Sequence, residues 1–439
     1  MITAKAFAGK HYAVYGLARS GLATAEALLA SGARVTAWDA KEEARAKVPA
    51  GTELANLDEA DLGQFDSLVV TPGLPLNRHP IAQRARQAGV EIIGDIELFA
   101  RARPELPPHK VVGITGTNGK STTTALVHHI LKTAGVPTTM GGNIGLPILA
   151  QDPLPEGAVY VLELSSYQID LTQSLDCDVA VLLNITPDHL DRYESFEAYE
   201  GSKARLFSMQ SANQTAVIAL GVGTNTGRIA HSASAQNLVA FPTDDFTDPS
   251  WPTLHELPEG SQREWPSLQG PHNAENAAAV IETCKTLGVS EETIVEGLRT
   301  YPGLPHRMER VREKDGVLFV NDSKATNPTA TAPALAAYPS IRWIVGGQPK
   351  SDNLDECAPH FGHVRSAYTI GDAGELFARL LAPHMPVVNC ETLENALNQA
   401  AKDSQPGDTV LLSPACASFD QFRDFEQRGD RFRDLVGAL

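Results

Sequence analysis

Lys110-Val-Val-Gly-Ile-Thr-Gly-Thr-Asn-Gly-Lys-Ser-Thr-Thr-Thr124 reads, in order, as a strand, a glycine-rich loop and the start of a helix. Val111, Val112 and Ile114 form a short apolar run suited to a buried strand. Gly116 and Gly119 let the backbone curl until its N–H groups converge on one point, where an anion would sit. Lys120 then puts an ammonium on the β- and γ-phosphates of a nucleoside triphosphate, and the Ser121 hydroxyl can ligate Mg²⁺ at a helix N-terminus. Strict Walker spacing asks for glycine where Ile114 stands, so Thr115-Gly-Thr-Asn-Gly-Lys-Ser-Thr122 is a variant of that loop. A glycine-rich turn beside a surface lysine is the alternative, and it suits the strand–loop–helix context poorly.

Working outward, short apolar runs and amphipathic stretches alternate almost to the end of the chain, which is the α/β signature. His11–Gly16, Ala33–Asp39, Leu68–Thr71 and Val90–Ile93 read as strands before the loop, with Gly21–Ser31 a helix. Val159–Leu164 and Val179–Ile185 read as buried strands after it, followed by helices His272–Leu287 and Glu291–Thr300. A hairpin-like pair, Met308–Arg312 and Val317–Asn321, opens the last third, and strands at Trp343–Gly346, Ser366–Ile370, Val387–Asn389 and Thr409–Leu412 continue it. Two proline-rich stretches, Arg103-Pro-Glu-Leu-Pro-Pro-His109 and Tyr301-Pro-Gly-Leu-Pro-His306, punctuate the pattern and suggest hinges between three domains: 1–103, 104–304 and 305–439. The polar stretch 221–270 does not resolve into elements.

Composition narrows the function. At 439 residues the chain is too long for one core, and its hydrophobic fraction of 42% is ordinary for a soluble protein. A net charge of −17 argues against nucleic acid or an anionic membrane as the partner, since both need a basic face. The five cysteines are scattered and never paired as C-x-x-C, which suits reduced thiols in the cytoplasm and no structural zinc. No long apolar run precedes the first strand, so no signal peptide is expected.

Further clusters carry chemistry. Gly16-Leu-Ala-Arg-Ser-Gly21 follows a strand, opens a helix and is followed by Asp39 at the end of the next strand. This nearly matches the dinucleotide fingerprint, with Ala18 at the middle glycine, so NAD, another nucleotide diphosphate or a structural turn all remain open. Thr71-Pro-Gly73 would line the same crevice. Glu163 ends an apolar strand where a carboxylate has little packing reason to be, and His189 follows another strand; both are candidate Mg²⁺ ligands beside a phosphate loop. Lys203 is by pattern an ordinary helix lysine. Asn143, in Gly141-Gly-Asn-Ile-Gly145, could donate to a carbonyl or phosphate, and His272-Asn-Ala-Glu-Asn276 reads by default as a helix cap. Pro305-His-Arg307, Asn321-Asp-Ser-Lys-Ala-Thr-Asn327, Gly346-Gly-Gln-Pro-Lys350 and Ser413–Phe422 gather donors and cations suited to phosphates and carboxylates.

Taken jointly and in order, these motifs resemble the Mur ligases, the ATP-dependent amino-acid-adding enzymes of peptidoglycan precursor synthesis. The resemblance runs through Gly16–Gly21, Thr115–Thr122, Gly141–Gly145, Glu163-Leu-Ser-Ser-Tyr-Gln168, Pro187–Arg192, His272–Asn276, Leu304–Arg307, Asn321–Asn327 and Ser413–Phe425. It implies a Rossmann-like N-terminal domain, a central P-loop-type ATPase domain with a mainly parallel sheet, and a C-terminal Rossmann-like domain. Arg19, Ser20, Asp39, Thr71 and Gly73 would face a uridine diphosphate, and Asn143, Ser165, Gln168 and His189 the muramoyl part of UDP-N-acetylmuramoyl-L-alanine. Gly116, Thr117, Asn118, Gly119, Lys120, Ser121 and Thr122 would cradle ATP, with Asn273 and Asn276 at adenine and Arg307, Asp322 and Lys324 also on ATP. Thr326, Lys350, Ser418 and Phe425 would hold D-glutamate.

The resemblance further implies that Lys203 is a carbamate derived from CO₂, an anion whose oxygens suit a hard cation. Two Mg²⁺ ions would then rest on Ser121, Glu163, His189 and Lys203. Lys120, His189, Lys203 and Arg307 become the catalytic set, acting on an acyl phosphate formed at the substrate carboxylate. Partners are small molecules only, with no nucleic acid or membrane, and the implied state is a cytoplasmic monomer. Two departures stand out. Lys350 sits in Gly-Gly-Gln-Pro-Lys-Ser, where the family often has Asp before the lysine and Gly after it, and Tyr167 replaces a usual phenylalanine. The Asp-Asn-Pro-Arg signature of the diaminopimelate-adding relative is absent, which favours D-glutamate. A nicotinamide dehydrogenase would leave the phosphate loop idle. A nucleotide switch would leave the third-domain face unexplained, and a folyl-polyglutamate-type ligase has no need of a nucleotide-binding first domain.

Overall fold

The computed structural model describes residues 1–189, 191–220, 226–235, 237–242 and 261–439. Part of the polar stretch 221–270, and position 190 within the segment 184–192, lie outside the described residues. The chain divides into two compact units, Met1–Glu256 with Ala278–Gly297, and Leu257–Ala277 with Leu298–Leu439. Among the described residues no helix is long and apolar enough to cross a membrane.

The first unit holds two sheets. The N-terminal one comprises β1 (His11–Tyr15), β2 (Arg34–Trp38), β3 (Glu53–Leu54), β4 (Ser67–Val70) and β5 (Glu91–Ile93) in the order β3-β2-β1-β4-β5, with every pairing parallel. All residues of β1 and β4 are buried, as strands covered on both faces must be. Strand order reverses beside β1, so the carboxyl ends of β1 and β4 form the switch point at which sheets of this kind bind ligands.

The second sheet comprises β6 (His109–Thr115), β7 (Thr138–Gly142), β8 (Ala158–Glu163), β9 (Val179–Leu182), β10 (Thr215–Leu220) and β11 (Asn237–Pro242). Its order is β11-β10-β9-β6-β8-β7, again all parallel. The glycine loop leaves β6 where this order reverses, and the helix Lys120–Thr133 follows it. β9 stops three residues short of the expected Ile185. The backbone of Asn184 turns away to accept the Thr117 N–H at 2.9 Å, which takes it out of the ladder.

The first proline-rich stretch is a pinned connection and not a loose hinge. The Arg103 guanidinium donates to the Asp178 carboxylate at 3.1 Å and to the Asp176 carbonyl, and Glu105 accepts the backbone N–H groups of Lys5 and Ala6 at 2.7 and 2.9 Å. Just upstream, the buried Glu97 accepts the N–H groups of Gln173 and Ser174 and the Ser174 hydroxyl at 2.7, 2.9 and 2.8 Å. A carboxylate meeting that many donors ties the N-terminal sheet's last helix to the sheet that carries the loop.

The second unit holds β12 (Glu309–Lys314), β13 (Val317–Asn321), β14 (Ile341–Gly346), β15 (Val364–Ile370), β16 (Val387–Glu391) and β17 (Thr409–Leu412), ordered β12-β13-β17-β14-β15-β16. The expected hairpin is present: β12 and β13 are antiparallel, turned by Asp315 and Gly316 at φ 52° and 75°, as a primed two-residue turn requires. The other pairings are parallel, so this sheet is mixed. Trp343, Leu335 and Phe377 pack one core cluster of the unit, and Tyr368, Leu397, Val410 and Phe432 another.

Candidate active site

At the central loop, backbone geometry dictates the residues. Gly119 is left-handed at φ 83° and precedes the helix Lys120–Thr133, while Gly116 lies at φ 155°, where a Cβ would press on Leu183 at 3.0 Å. Asn184 braces the loop by accepting the Asn118 N–H on its side-chain oxygen at 2.9 Å. The Thr117 hydroxyl is held between the Thr186 carbonyl (3.2 Å) and the Tyr199 hydroxyl (3.1 Å). Lys120 folds back over the loop, its Nζ donating to the carbonyls of Gly116 and Thr117 at 2.9 and 2.7 Å. The ammonium is thus already poised over the loop that phosphates would occupy.

Beside the loop, at the end of β8, sits Glu163, in register with Ile114 of β6 and Gly142 of β7. Its side chain is buried; Oε1 accepts from Asn143 Nδ2 at 3.0 Å, and Oε2 has no hydrogen-bond partner. A buried carboxylate oxygen left in this state is a candidate ligand for a cation or an ordered water. Gly142, at φ 86°, has no room for a side chain because a Cβ would collide with the Glu163 carbonyl. That close approach is what sets Asn143 beside Glu163.

Lys203, on the helix Phe196–Ser208, is almost wholly buried, donates to the Gly116 carbonyl at 2.8 Å and lies 4.7 Å over the Tyr199 ring. Burial pushes its pKa well below the usual lysine value, and the nearby Lys120 charge pushes the same way. It is therefore no ordinary surface lysine. His189 sits in a left-handed backbone at φ 56°, with its ring 5.0 Å from Tyr167, and partial burial lowers its pKa against the opposing pull of Asp188. A neutral imidazole keeps a lone pair for a cation. Among the described residues no group of three or more His, Cys, Asp or Glu is gathered. A hard cation such as Mg²⁺ needs only one or two protein oxygens and fills its shell with water and phosphate, so the Glu163 carboxylate beside the loop is compatible with it.

Two residues expected at the muramoyl part are bonded to each other. Ser165 Oγ accepts the Gln168 N–H at 3.3 Å and Gln168 Oε1 accepts the Ser165 N–H at 3.1 Å, a capping box for the helix Ser166–Asp170. Gln168 is buried in that role.

At the first sheet's crevice, Gly16 (φ 94°) packs against the Thr71 side chain, and a Cβ on Gly21 would collide with the Gly16 carbonyl. The structure thus gathers Gly16, Thr71 and the N-terminus of the helix Arg19–Ala30, which carries Arg19 and Ser20. Asp39 serves the loop itself, its two carboxylate oxygens accepting the N–H groups of Leu17 and Lys41 at 2.7 and 2.9 Å. Arg19 reaches the Gly145 carbonyl at 2.8 Å, joining this crevice to the Gly141–Gly145 turn.

In the second unit, Asp322 and Lys324, Lys350, and Ser418 follow the carboxyl ends of β13, β14 and β17 in turn. Asp322 is buried and accepts from Met308 N–H (3.2 Å) and Ser413 Oγ (2.8 Å); burial raises its pKa to about 7. Lys324 Nζ lies 3.6 Å from the Phe425 ring centroid. Gln348 and Ala417 exchange two backbone hydrogen bonds of 2.9 and 3.0 Å, which fixes the course of the chain past Pro349 and leaves Lys350 exposed near the buried Ser418. Arg307 and Thr326 are partly buried. Asn273 and Asn276 are buried and bonded to each other at 3.2 Å. The sequence reading missed Arg428, a buried guanidinium donating to Ser323 Oγ, Ser323 O, Cys416 O and Ala417 O at 3.0, 2.9, 3.0 and 3.2 Å. It clamps two of the polar loops together.

A phosphate loop flanked by an unmet buried carboxylate, with a second glycine turn at another switch point, defines a nucleotide-dependent α/β enzyme. Comparison with known proteins narrows this. The Mur ligase MurD-like N-terminal domain matches residues 10–94, the Mur ligase middle domain 114–284, and the Mur ligase glutamate ligase domain 306–416. The chain belongs to the Mur ligase family, whose members are ATP-dependent amide-bond ligases. It is 63% identical over 439 residues to the UDP-N-acetylmuramoylalanine--D-glutamate ligase of Novosphingobium aromaticivorans, covering 100% of this chain and 97% of that protein. It is 45% identical to the protein of the same name from Rhizobium meliloti, covering 100% and 98%. Among solved structures, the UDP-N-acetylmuramate-alanine ligase MurC of Thermotoga maritima superimposes with a TM-score of 0.58 at 18% identity, covering 98% of this chain and 99% of that one.

Proposed function

We propose that this chain joins D-glutamate to UDP-N-acetylmuramoyl-L-alanine, consuming ATP and releasing ADP and phosphate, as a cytoplasmic monomer in peptidoglycan precursor synthesis. The observation that carries the reading is Glu163: a buried carboxylate oxygen with no partner, at a strand end beside a phosphate loop. Full-length similarity to relatives bearing the D-glutamate ligase name supports the choice of substrates. Residues 1–103 would take the uridine diphosphate, 104–304 ATP and 305–439 the amino acid, with the individual contacts assigned as the family resemblance implies.

In the first step the terminal carboxylate of the sugar nucleotide attacks the γ-phosphorus, giving an acyl phosphate and ADP. A carboxylate needs no base, so the protein's task is positioning and charge neutralisation. Lys120 would exchange the Gly116 and Thr117 carbonyls for phosphate oxygens, and Arg307 would add a second cation. Ser121, Glu163, His189 and a carbamylated Lys203 would hold two magnesium ions, which when bound supply positive charge to the phosphate oxygens. Burial favours the neutral amine of Lys203, the form able to add CO₂. The D-glutamate amine then attacks the acyl carbon, its proton passes to solvent, and the tetrahedral intermediate expels phosphate. Thr326, Lys350, Ser418 and Phe425 would orient that amine.

Phosphate release with ATP, Mg²⁺ and UDP-N-acetylmuramoyl-L-alanine, scanned over amino acids as the third substrate, tests the proposal. Release that depends on D-glutamate supports it; release that is absent, or indifferent to the amino acid, sinks it.

A further inference from the structure

We infer that Arg192 is the positioning residue that holds the two ends of the sugar-nucleotide site in register, a reading that rests on the function proposed above. Its guanidinium donates to three consecutive carbonyls of the loop leaving β4: Pro72 at 3.4 Å, Gly73 at 3.2 Å and Leu74 at 2.9 Å. That loop contains Gly73, assigned to the diphosphate. Because a trans peptide sets N–H opposite C=O, drawing the Pro72 carbonyl toward Arg192 turns the Gly73 N–H the other way, where an anion can take it.

The same guanidinium lies 4.2 Å from the Tyr167 ring centroid, and that ring lies 5.0 Å from His189, assigned to the muramoyl end. The Arg192 backbone N–H also donates to the His189 carbonyl at 2.9 Å, closing the turn in which His189 is left-handed. One side chain thus touches the diphosphate loop and, through one ring, the muramoyl-facing histidine. The contact is reciprocated: Arg78, four residues beyond Leu74, donates to the Asp191 carbonyl at 2.6 Å.

Neither arginine meets a carboxylate in these contacts. Their acceptors are neutral carbonyls, so the pair fixes geometry and does not balance charge. Only a planar fork that also stacks on an aromatic ring can reach three carbonyls in a row; a lysine ammonium cannot. Losing it frees the diphosphate loop from the muramoyl side, so the substrate must restore the register at the cost of its own affinity.

The test compares Arg192→Lys and Arg192→Ala with the unaltered full-length protein. Calorimetric affinity for UDP-N-acetylmuramoyl-L-alanine is measured without ATP or amino acid, followed by KM for all three substrates. Both variants should bind the sugar nucleotide at least tenfold more weakly, with KM for ATP within twofold of the unaltered value. Millimolar guanidinium ion should recover part of the loss in Arg192→Ala and none in the unaltered protein. Unchanged sugar-nucleotide affinity in Arg192→Ala overturns the clamp while leaving the ligase reading intact. A parallel rise in all three KM values without guanidinium recovery also overturns it, since that marks general damage. If the unaltered protein binds no sugar nucleotide, the ligase reading fails and the clamp falls with it.

Discussion

Asp322 offers a sharp test of how the second unit trades stability for function. Its carboxyl is buried between the Met308 N–H and the Ser413 hydroxyl, and burial raises its pKa to about 7 from an ordinary 3.8. A carboxyl with a raised folded pKa keeps its proton in the native state after the unfolded chain has lost it. The native state therefore binds more protons between pH 3.8 and about 7, and stability falls as pH rises through that window. At pH 8 the loss approaches the full difference of 3.2 pH units, roughly 4 kcal/mol; at pH 5 less than half of it has accrued, so the change between the two is roughly 2–3 kcal/mol. Asp322→Asn keeps the shape and cannot ionise. Urea unfolding of both proteins at pH 5 and pH 8, with the buried Trp343 among the fluorescent reporters of this unit, isolates the effect because every other titration cancels in the difference. The unaltered protein should lose roughly 2–3 kcal/mol relative to Asp322→Asn on going from pH 5 to pH 8. Asp322→Asn should meanwhile lose turnover, because the carboxyl assigned to the ATP site is gone. Parallel pH curves for the two proteins would refute the reasoning.

Three further outcomes follow from the first unit. Lys203→Arg keeps a basic side chain but cannot form a stable carbamate, so turnover should drop by about 10- to 100-fold, the scale of losing a metal-orienting group; a steady-state assay showing near-normal turnover would dismiss the modification. Glu163→Gln should abolish most turnover and raise the Mg²⁺ concentration needed for half-maximal rate, while the unfolding midpoint holds or rises because a buried charge with an unpartnered oxygen is gone. A strongly lowered midpoint with normal Mg²⁺ dependence would make Glu163 structural. Gly21→Ala drives a methyl into the Gly16 carbonyl, so the loop must shift, at about 1–3 kcal/mol by the usual scale of overpacking, and uridine diphosphate binding should weaken; unchanged affinity by calorimetry would show that this turn does not hold the diphosphate.

The alternating strands were legible because parallel strands covered on both faces must be apolar throughout, and the loop because Gly116 and Gly119 occupy conformations other residues avoid. Glu163 was legible for the opposite reason: a carboxylate closing an apolar strand is chemically out of place. What stayed hidden depends on contacts distant in the chain. Arg428 meets Ser323 across 105 positions, and Glu97 meets Ser174 across 77, so neither the loop clamp nor the pinning of the first proline-rich stretch leaves a local signal. Prolines there suggested a hinge, but Arg103, Glu105 and Glu97 supply enough charged hydrogen bonds to hold it. The capping box is different. Ser165-Ser-Tyr-Gln168 displays the spacing locally, and its Ser and Gln satisfy each other even though the family pattern points them at a substrate.

The most direct measurement follows the oxygen. UDP-N-acetylmuramoyl-L-alanine carrying ¹⁸O in its terminal carboxylate is incubated with ATP, Mg²⁺, D-glutamate and the protein, and the inorganic phosphate is analysed by mass spectrometry. Attack of that carboxylate on the γ-phosphorus, followed by amide formation, places one ¹⁸O in each phosphate released and leaves the other in the new amide carbonyl. Unlabelled phosphate, or label appearing in AMP, would contradict activation through an acyl phosphate at the Lys120 loop.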